Sequence, residues 1–346
     1  MLDYVNEGMS FSKYILGRCL GRGAFGKVFL AHDIILNRYV AIKIIEASNA
    51  YELKSSFKEA ELSVRCIHNN IVQIYSADVI NFMGHLLFVI EMEYINGCTV
   101  ESLISNNKLS IVDSVLIIKQ ILYGIEAAHI NDVIHRDIKP GNILVAGTVV
   151  KITDFGLANL LGDSRISNSI YYTHTAPEVF DGSVSYSYQT DIYALGLTLY
   201  RMVNNISNWR VFLDELCISD VDIKTGEFIN QLPWDLSIPK VLMRIIKKAC
   251  QPDLTKRYSR AVDLRNKLEK LKLGTSWYYV NQNRWCGFYN DKKYVMNIRN
   301  KQKGLEVEIK CNDRKILNLC RGFDTYDEAL RYCKFHISQT SVLQNL

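Results

Sequence analysis

The sequence predicts an α+β protein of two lobes, a small β-rich one followed by a larger helical one, with a further small α+β unit after them. Three observations carry this. Residues 14 to 45 read as strands around a glycine turn, and the runs IVQIYSADVI and HLLFVIEMEYI are rich in β-branched and aromatic residues, as strands are. After Gly97 the texture changes, and SIVDSVLIIKQILYGIEAAHIN repeats apolar residues at helical spacing. Beyond Leu273 the pattern returns to period two: in LEVEIK, Leu305, Val307 and Ile309 point one way and Glu306, Glu308 and Lys310 the other.

The order of elements gives the expected boundaries. Residues 1–13 are an N-terminal extension. Residues 14–272 form the main domain, with an N-lobe over 14–95 and a C-lobe over 96–272. Residues 273–346 form a small basic β-rich domain with a C-terminal helix. A mixed helical pattern covers about 51 to 66, with Phe57, Ala60, Glu61, Val64 and Arg65 on its face. The charged segment AVDLRNKLEKLKL reads as a helix capped by Gly274. The last helix starts at Thr325, with Glu328 three residues on completing a capping box, and Tyr326, Ala329, Leu330 and Cys333 form one face.

Composition narrows the class. With 346 residues, 48% hydrophobic and 22% charged, the chain can build a sizeable core. No run of about 18 apolar residues occurs, so no spanning helix is expected. The start, MLDYVNEGMSFSKY, has no secretory pattern, and a cytoplasmic protein is expected. The nine cysteines include no CxxC pair, which suggests reduced, mostly buried thiols rather than a zinc ribbon or disulfide framework. The net charge of +5 is uneven: from Leu273 onward there are twelve basic and seven acidic residues, so the whole excess lies there.

The first chemical motif is Gly21-Arg22-Gly23-Ala24-Phe25-Gly26-Lys27-Val28. A strand follows the glycines, not a helix, which suits a strand–turn–strand flap whose backbone N–H groups approach phosphate oxygens. Val40-Ala41-Ile42-Lys43 comes next, and Lys43 can pair with α- and β-phosphates if a carboxylate holds its flexible stem. Glu59 is our choice for that carboxylate, with Glu61 the competitor.

Two further motifs are Ile134-His135-Arg136-Asp137-Ile138-Lys139-Pro140-Gly141-Asn142-Ile143-Leu144 and Lys151-Ile152-Thr153-Asp154-Phe155-Gly156. With them the chain resembles the eukaryotic-type (Hanks-type) serine/threonine protein kinase family. The likeness is collinear from about Tyr14 to about Leu271 and includes Ala176-Pro177-Glu178, Asp191, Gly196 and Arg257. It implies the bilobal protein-kinase fold, with ATP in the cleft and Mg²⁺ (or Mn²⁺) as metal. Phosphoryl transfer needs an in-line hydroxyl, metal ions and neutralised oxygens. The resemblance therefore casts Asp137 as the base that orients the substrate hydroxyl and Lys139 as a charge balance for the γ-phosphate. Asn142 and Asp154 become metal ligands, since magnesium prefers hard oxygen donors. It also implies Met92 as gatekeeper and Glu93, Tyr94 and Ile95 as the adenine-reading hinge. The full expected nucleotide set is Gly21, Arg22, Gly23, Gly26, Val28, Ala41, Lys43, Met92, Glu93 and Ile95. His135 is expected to brace its loop, and Glu178 with Arg257 to form a buried structural pair.

Arg136 beside Asp137 implies regulation by a phosphate on the activation segment, with autophosphorylation there. The candidate hydroxyls are Ser164, Ser167, Ser169, Tyr171, Tyr172, Thr173 and Thr175. Where many relatives read Gly-Thr-x-x-Tyr-x-Ala-Pro-Glu, this chain reads Ile170 to Glu178, with Tyr171 in place of the threonine. Tyrosine or dual specificity is therefore an alternative. A pseudokinase scaffold is a weaker one, because the phosphate- and metal-handling positions carry the right chemistry. The expected partners are protein substrates. The aromatic and basic residues of the tail read best as a small core with a solvated face. Recruitment of a protein is the second reading, and nucleic acid is not an expected partner.

Overall fold

A computed structural model describes residues 2–23, 26–46, 66–106, 108–154, 172–180 and 186–343. The expected β-rich lobe is a six-stranded antiparallel sheet in the order β1-β2-β3-β4-β6-β5. Its strands are β1 (Ser10–Phe11), β2 (Tyr14–Gly23), β3 (Gly26–Asp33), β4 (Arg38–Glu46), β5 (Ile74–Phe82) and β6 (His85–Glu93). Side chains alternate across it, so the sheet has two apolar faces. One face holds Ala41, Phe88, Ile90 and Met92 and looks into the cleft. The other holds Phe29, Ala31, Val40, Ile42, Ile44, Leu87 and Val89, and is covered by Leu2 and Val5 of the N-terminal extension. The helical pattern over 51–66, with Glu59 and Glu61, lies almost wholly outside the described residues.

The helical lobe is built on α2 (Ile111–Ile130), capped by α1 (Val100–Ser105) and a short link. Ser110 starts α2 with a capping box: its hydroxyl accepts from the Asp113 N–H, and the Asp113 carboxylate accepts from the Ser110 N–H. Val115, Ile118, Ile121, Leu122 and Ile125 are then fully buried. A three-stranded sheet of β7 (Cys98–Thr99), β8 (Ile143–Ala146) and β9 (Val149–Ile152) sits below the cleft. The remaining helices are α3 (Pro177–Phe180), α4 (Tyr188–Asn204), α5 (Trp209–Glu215), α6 (Asp220–Thr225), α7 (Phe228–Gln231), α8 (Lys240–Ala249) and α9 (Ala261–Glu269). At Gly196 of α4 a Cβ would meet the Cys250 sulfur at 2.5 Å and the Ala249 Cβ at 2.9 Å, so glycine permits the close approach of α4 to the end of α8.

The helix read as running to Gly274 stops at Glu269 instead. The reason is tertiary pairing: β10 (Lys272–Leu273) joins β17 (Val342–Leu343), and the Gly274 and Thr275 N–H groups donate to Ser341 O and Thr340 O. Between these two strands lies an antiparallel sheet of β11 (Ser276–Asn281), β12 (Arg284–Tyr289), β13 (Lys292–Asn300), β14 (Leu305–Cys311), β15 (Arg314–Lys315) and β16 (Arg321–Phe323). Helix α10 (Tyr326–Ser341) packs on it, with the expected Thr325–Glu328 capping box. The buried face of α10 is Ala329, Cys333 and Ile337; Tyr326 is exposed and donates to Gln282 O instead. Val307 and Ile309 face this helix as the alternation predicts. Glu308, on the opposite side, is also buried, because Arg299, Lys310 and Lys315 close over it at 2.9, 3.5 and 2.6 Å. All nine cysteines are free, but only Cys66, Cys250 and Cys333 are buried, fewer than expected.

The tail shares its core with the helical lobe. Trp277, Met296 and Ile337 belong to one continuous apolar cluster with Ile118 and Leu264. The Tyr278 phenol is pushed up to about 12 by burial and by Asp113 at the start of α2. The Lys334 ammonium meets Asp235 of the helical lobe at 2.5 Å. Trp277 is the keystone of the tail core, stacking edge-on to His336 and donating from its indole to Thr340 Oγ1 at 2.8 Å. Trp277→Ala should lower unfolding stability by about 3–5 kcal/mol, measured by chemical denaturation with Tyr279→Ala, a half-exposed neighbour, as the mild control.

Candidate active site

The cleft is assembled from the ends of strands and one irregular loop. Its upper wall is the inner face of the N-lobe sheet. Register pairs Ala41 with Met92 across β4 and β6, and Val28 stands opposite Lys43 across β3 and β4. Leu144 of β8 joins the same apolar cluster from below, together with Val72, Tyr94 and Ile95. A flat apolar ring system fits between such walls. Beside it, Glu93 is committed structurally: its N–H donates to Gln73 O, and its carboxylate takes Lys151 at 2.9 Å. Among the described residues the Ile95 N–H donates to no partner, which leaves a donor at the edge of the slot.

Gly21, Arg22, Gly23, Gly26 and Val28 lie on the β2–β3 hairpin, whose tip at 24–25 is outside the described residues. Register places Arg22 opposite Lys27, on the face away from Val28, so only its backbone is offered to the cleft. At Gly26 a Cβ would meet the Ile44 carbonyl oxygen at 2.1 Å, so only glycine lets the hairpin lie this close to β4.

Lys43 is nearly buried and its ammonium lies 2.6 Å from Asp154 Oδ1. Burial alone would raise the Asp154 carboxyl; the Lys43 ammonium overrides it and holds the group below the usual carboxylate range. Asp154 adopts φ +61° and Arg136 φ +71°, left-handed conformations that cost a side-chain-bearing residue free energy and persist only when neighbours enforce them.

The enforcement is visible. Asp191, in the first turn of α4, accepts from the His135 N–H and the Arg136 N–H at 2.9 Å each, and pairs with His129 Nε2 at 2.9 Å. His135 is fully buried. Its Nδ1 accepts from the Asp137 N–H at 3.3 Å, so Nε2 carries the proton and donates to Thr153 O at 3.0 Å. Burial lowers its pKa, which keeps it neutral and bracing, as the sequence implied. The Thr153 N–H in turn donates to Asn142 O.

These ties bring Asp137, Lys139 and Asn142 together. Lys139 contacts both Asp137 carboxylate oxygens at 2.9 and 2.7 Å. Asn142, in a 3-10 turn started by Pro140, spends its amide N–H groups on Asp137 O and Asp137 Oδ2. Its amide oxygen is thereby left as a hard donor. The oxygens of Asn142 and Asp154 beside the cations Lys43 and Lys139 suit a magnesium-bound polyphosphate.

Arg136 lays its guanidinium over the Tyr186 ring at 5.4 Å. Ser164, Ser167, Ser169 and Tyr171 lie outside the described residues. Tyr172–His174 form a 3-10 turn in which Thr173 is buried, and Thr175 is half-buried. Arg257 and Glu178 form the expected buried pair, with two parallel bonds of 2.7 and 2.9 Å. Reading by residue type overlooked Val72, Leu144 and the anchoring role of Asp191. The first two are ordinary apolar residues in strand patterns and carry no chemical signal. Asp191 stood out in the sequence only as part of a motif.

Residues 14–268 match the protein kinase domain family. The chain belongs to that family. The kinase relatives include serine/threonine-protein kinase PrkC of Bacillus subtilis (strain 168), 34% identical over 268 residues, 73% of this chain and 39% of PrkC. Serine/threonine-protein kinase PknD of Mycobacterium tuberculosis (strain ATCC 25618 / H37Rv) is 32% identical over 274 residues, 76% of this chain and 40% of PknD. The chain thus spans about two fifths of the length of these curated relatives. Among solved structures, the Mycobacterium tuberculosis PknI kinase domain superposes with a TM-score of 0.58 at 22% identity, over 77% of this chain and 98% of that one. At that identity the likeness establishes the kinase fold.

The Arg257–Glu178 pair yields a stability prediction. Arg257 also donates to the carbonyls of Gln251, Gln189 and Pro252, so its removal leaves a buried carboxylate without its cation and takes a donor from three carbonyls. Arg257→Ala should cost about 3–5 kcal/mol, read as a lower denaturation midpoint, with Glu178→Gln milder because it removes the charge and keeps hydrogen-bonding atoms.

Proposed function

We propose that this chain is an active protein kinase that transfers the γ-phosphate of ATP to serine or threonine hydroxyls of proteins. The observation that carries the reading is the pairing of two clusters in one cleft: Lys43 with Asp154, and Asp137 with Lys139 and Asn142. Bound ATP with Mg²⁺ supplies the phosphoryl group and the charge that draws electrons from the leaving oxygen. The residues do the rest. Val28, Ala41, Met92 and Leu144 hold the base, and the Ile95 N–H reads its edge. Lys43 binds phosphate oxygens and keeps Asp154 ionised. Asp154 and Asn142 hold the metal. The Asp137 carboxylate accepts a hydrogen bond from the substrate hydroxyl, orients it in line and takes its proton late. Lys139, which rests on Asp137, would shift to a phosphate oxygen as negative charge builds there.

Serine/threonine preference is supported by Lys139 two residues after Asp137 and by the names of PrkC and PknD. Phosphorylation on the activation segment is supported by Arg136, whose guanidinium suits a phosphate. We place the protein in the cytoplasm, where ATP is plentiful and free cysteines persist. Among the described residues no helix is long and apolar enough to cross a membrane. We take 14–272 as the catalytic unit and 273–346 as the appended one; the family match ends at residue 268, so the proposal concerns the cleft.

The test is incubation with labelled ATP and Mg²⁺ beside Asp137→Asn and Asp154→Asn. Wild type should phosphorylate itself and a generic protein substrate. Asp137→Asn should lose about 10²–10⁴-fold in kcat, and Asp154→Asn should be silent. Phosphoserine and phosphothreonine alone are expected in the hydrolysed product; phosphotyrosine as the main product would replace the specificity, and a silent wild type would replace the enzyme by a scaffold.

A further inference from the structure

A second buried lysine sits in the glycine-rich hairpin, and nothing in the phosphate chemistry uses it. Lys27 follows Gly26 and precedes Val28, yet it is only 5% exposed. Strand alternation explains where it goes: Val28 turns into the nucleotide slot, and Lys27 turns to the outer face of the sheet. Among the described residues no carboxylate lies within hydrogen-bond distance of its ammonium. Its ammonium donates to two backbone carbonyls, Leu2 O at 2.6 Å and Val5 O at 3.3 Å, while the mostly exposed Asp3 stands at 3.9 Å. Arg22, opposite it across the hairpin, is a second cation and repels Lys27 rather than neutralising it.

The carbonyls belong to the N-terminal extension, which crosses the outer face as a strap. Leu2 and Val5 are buried among Phe29, Ile42 and Ile44. The Val5 N–H closes a turn onto Leu2 O, the same oxygen that takes Lys27, and Leu2 holds a left-handed φ of +52°. At one end Tyr4 donates to Glu46 at 2.9 Å and stacks on His85 at 4.4 Å. At the other, the Gly8 N–H donates to Leu16 O and the Leu16 N–H to Met9 O, which stitches the strap to β2. A buried ammonium held only by carbonyls is stable where those carbonyls stay in place and costly where they leave.

We infer that Lys27 is a positioning residue for nucleotide: the strap of residues 2–9 grips its ammonium and so holds the glycine-rich hairpin in the geometry that receives ATP. The mechanical link is short. Lys27 lies between Gly26, whose backbone abuts Ile44, and Val28, which walls the base slot. Any shift of Lys27 moves both. Docking of the strap and closure of the hairpin are therefore coupled, and displacement of the strap would loosen ATP without touching Asp137, Lys139 or Asn142.

The inference rests on the kinase reading, and the experiment separates the two. The full chain is compared with Lys27→Met, which keeps the length and removes the donors, and with Val5→Asp, which lifts the strap and leaves Lys27 in place. ATP affinity is read with a fluorescent ATP analogue, and KM for ATP and kcat with a generic protein substrate. Each variant should raise KM for ATP about 5- to 10-fold with kcat within about twofold, the sign of lost binding that is equal in ground and transition states. The double variant should show a shift near the larger single one, not the product, because both changes break one linkage. KM within about twofold of wild type in the folded single variants, or multiplying effects in the double variant, overturns the inference and leaves the kinase reading intact. A wild type that binds no analogue overturns both. Since Val5→Asp tests the same linkage from the other side, the answer does not depend on Lys27→Met folding.

Discussion

The cleft depends on one buried carboxylate. Asp191 is 1% exposed, yet it carries three hydrogen bonds, two of them from consecutive backbone N–H groups of the loop that bears Asp137. Its position in the first turn of α4 adds the favourable end of a helix dipole to those bonds. A loop is ordinarily the softest part of a structure. Here it is hung from α4, fourteen of whose 17 residues are buried, and from the end of α2 through His129. That anchorage is what makes a left-handed Arg136 affordable, and the left-handed turn is what sends the next residue, Asp137, toward Lys139 and Asn142. His135 then passes the constraint to Thr153, one residue before Asp154. The Asp137 and Asp154 carboxylates are thus placed by one continuous set of bonds that begins outside the cleft.

The N-lobe shows the same logic applied to two lysines on opposite faces of a sheet. Lys43 and Lys27 are both buried, and both lie next to residues of the nucleotide slot. Lys43 has a carboxylate partner, Asp154, which balances its charge. Lys27 is held by carbonyl dipoles, with the exposed Asp3 carboxylate no closer than 3.9 Å; the dipoles solvate the charge without cancelling it. The first arrangement suits a group that must exchange partners during a reaction; the second suits one that must stay where it is.

Chemistry was legible in the sequence where residue type and spacing together leave few alternatives. Lys43, Asp137, Lys139, Asn142 and Asp154 sit where the motifs put them, and the capping box at Thr325 starts the helix it announces. What escaped depends on long-range pairing. The helix read through to Gly274 ends at Glu269 because a strand far along the chain, Val342–Leu343, competes for Lys272 and Leu273. Residues 1–13 were read only as an N-terminal extension, since their scattered apolar residues follow neither a helical nor a strand period. Its role appears only once Leu2 and Val5 are seen against an apolar face of the sheet. Arg22 was read as part of the phosphate loop from its place between two glycines, but the register of β2 and β3 turns its side chain outward.

Charge shows the same difference between counting and placement. Counted along the chain, residues from Leu273 onward look like a basic module carrying the whole net excess. Arranged in space, much of that charge is committed. Arg299, Lys310 and Lys315 surround Glu308, Lys301 meets Glu306 at 2.9 Å, and Lys334 reaches across to Asp235. Glu308 is the telling residue. Strand alternation assigns it to the solvated face, but three cations close over it and hold its carboxyl below the usual range despite burial. A cation that neutralises a buried carboxylate contributes to the fold and little to the outward field. Arg299, Lys310 and Lys315 are therefore better understood as the lid of an inverted polar core, on the side of the sheet opposite α10, than as free charges awaiting a polyanion.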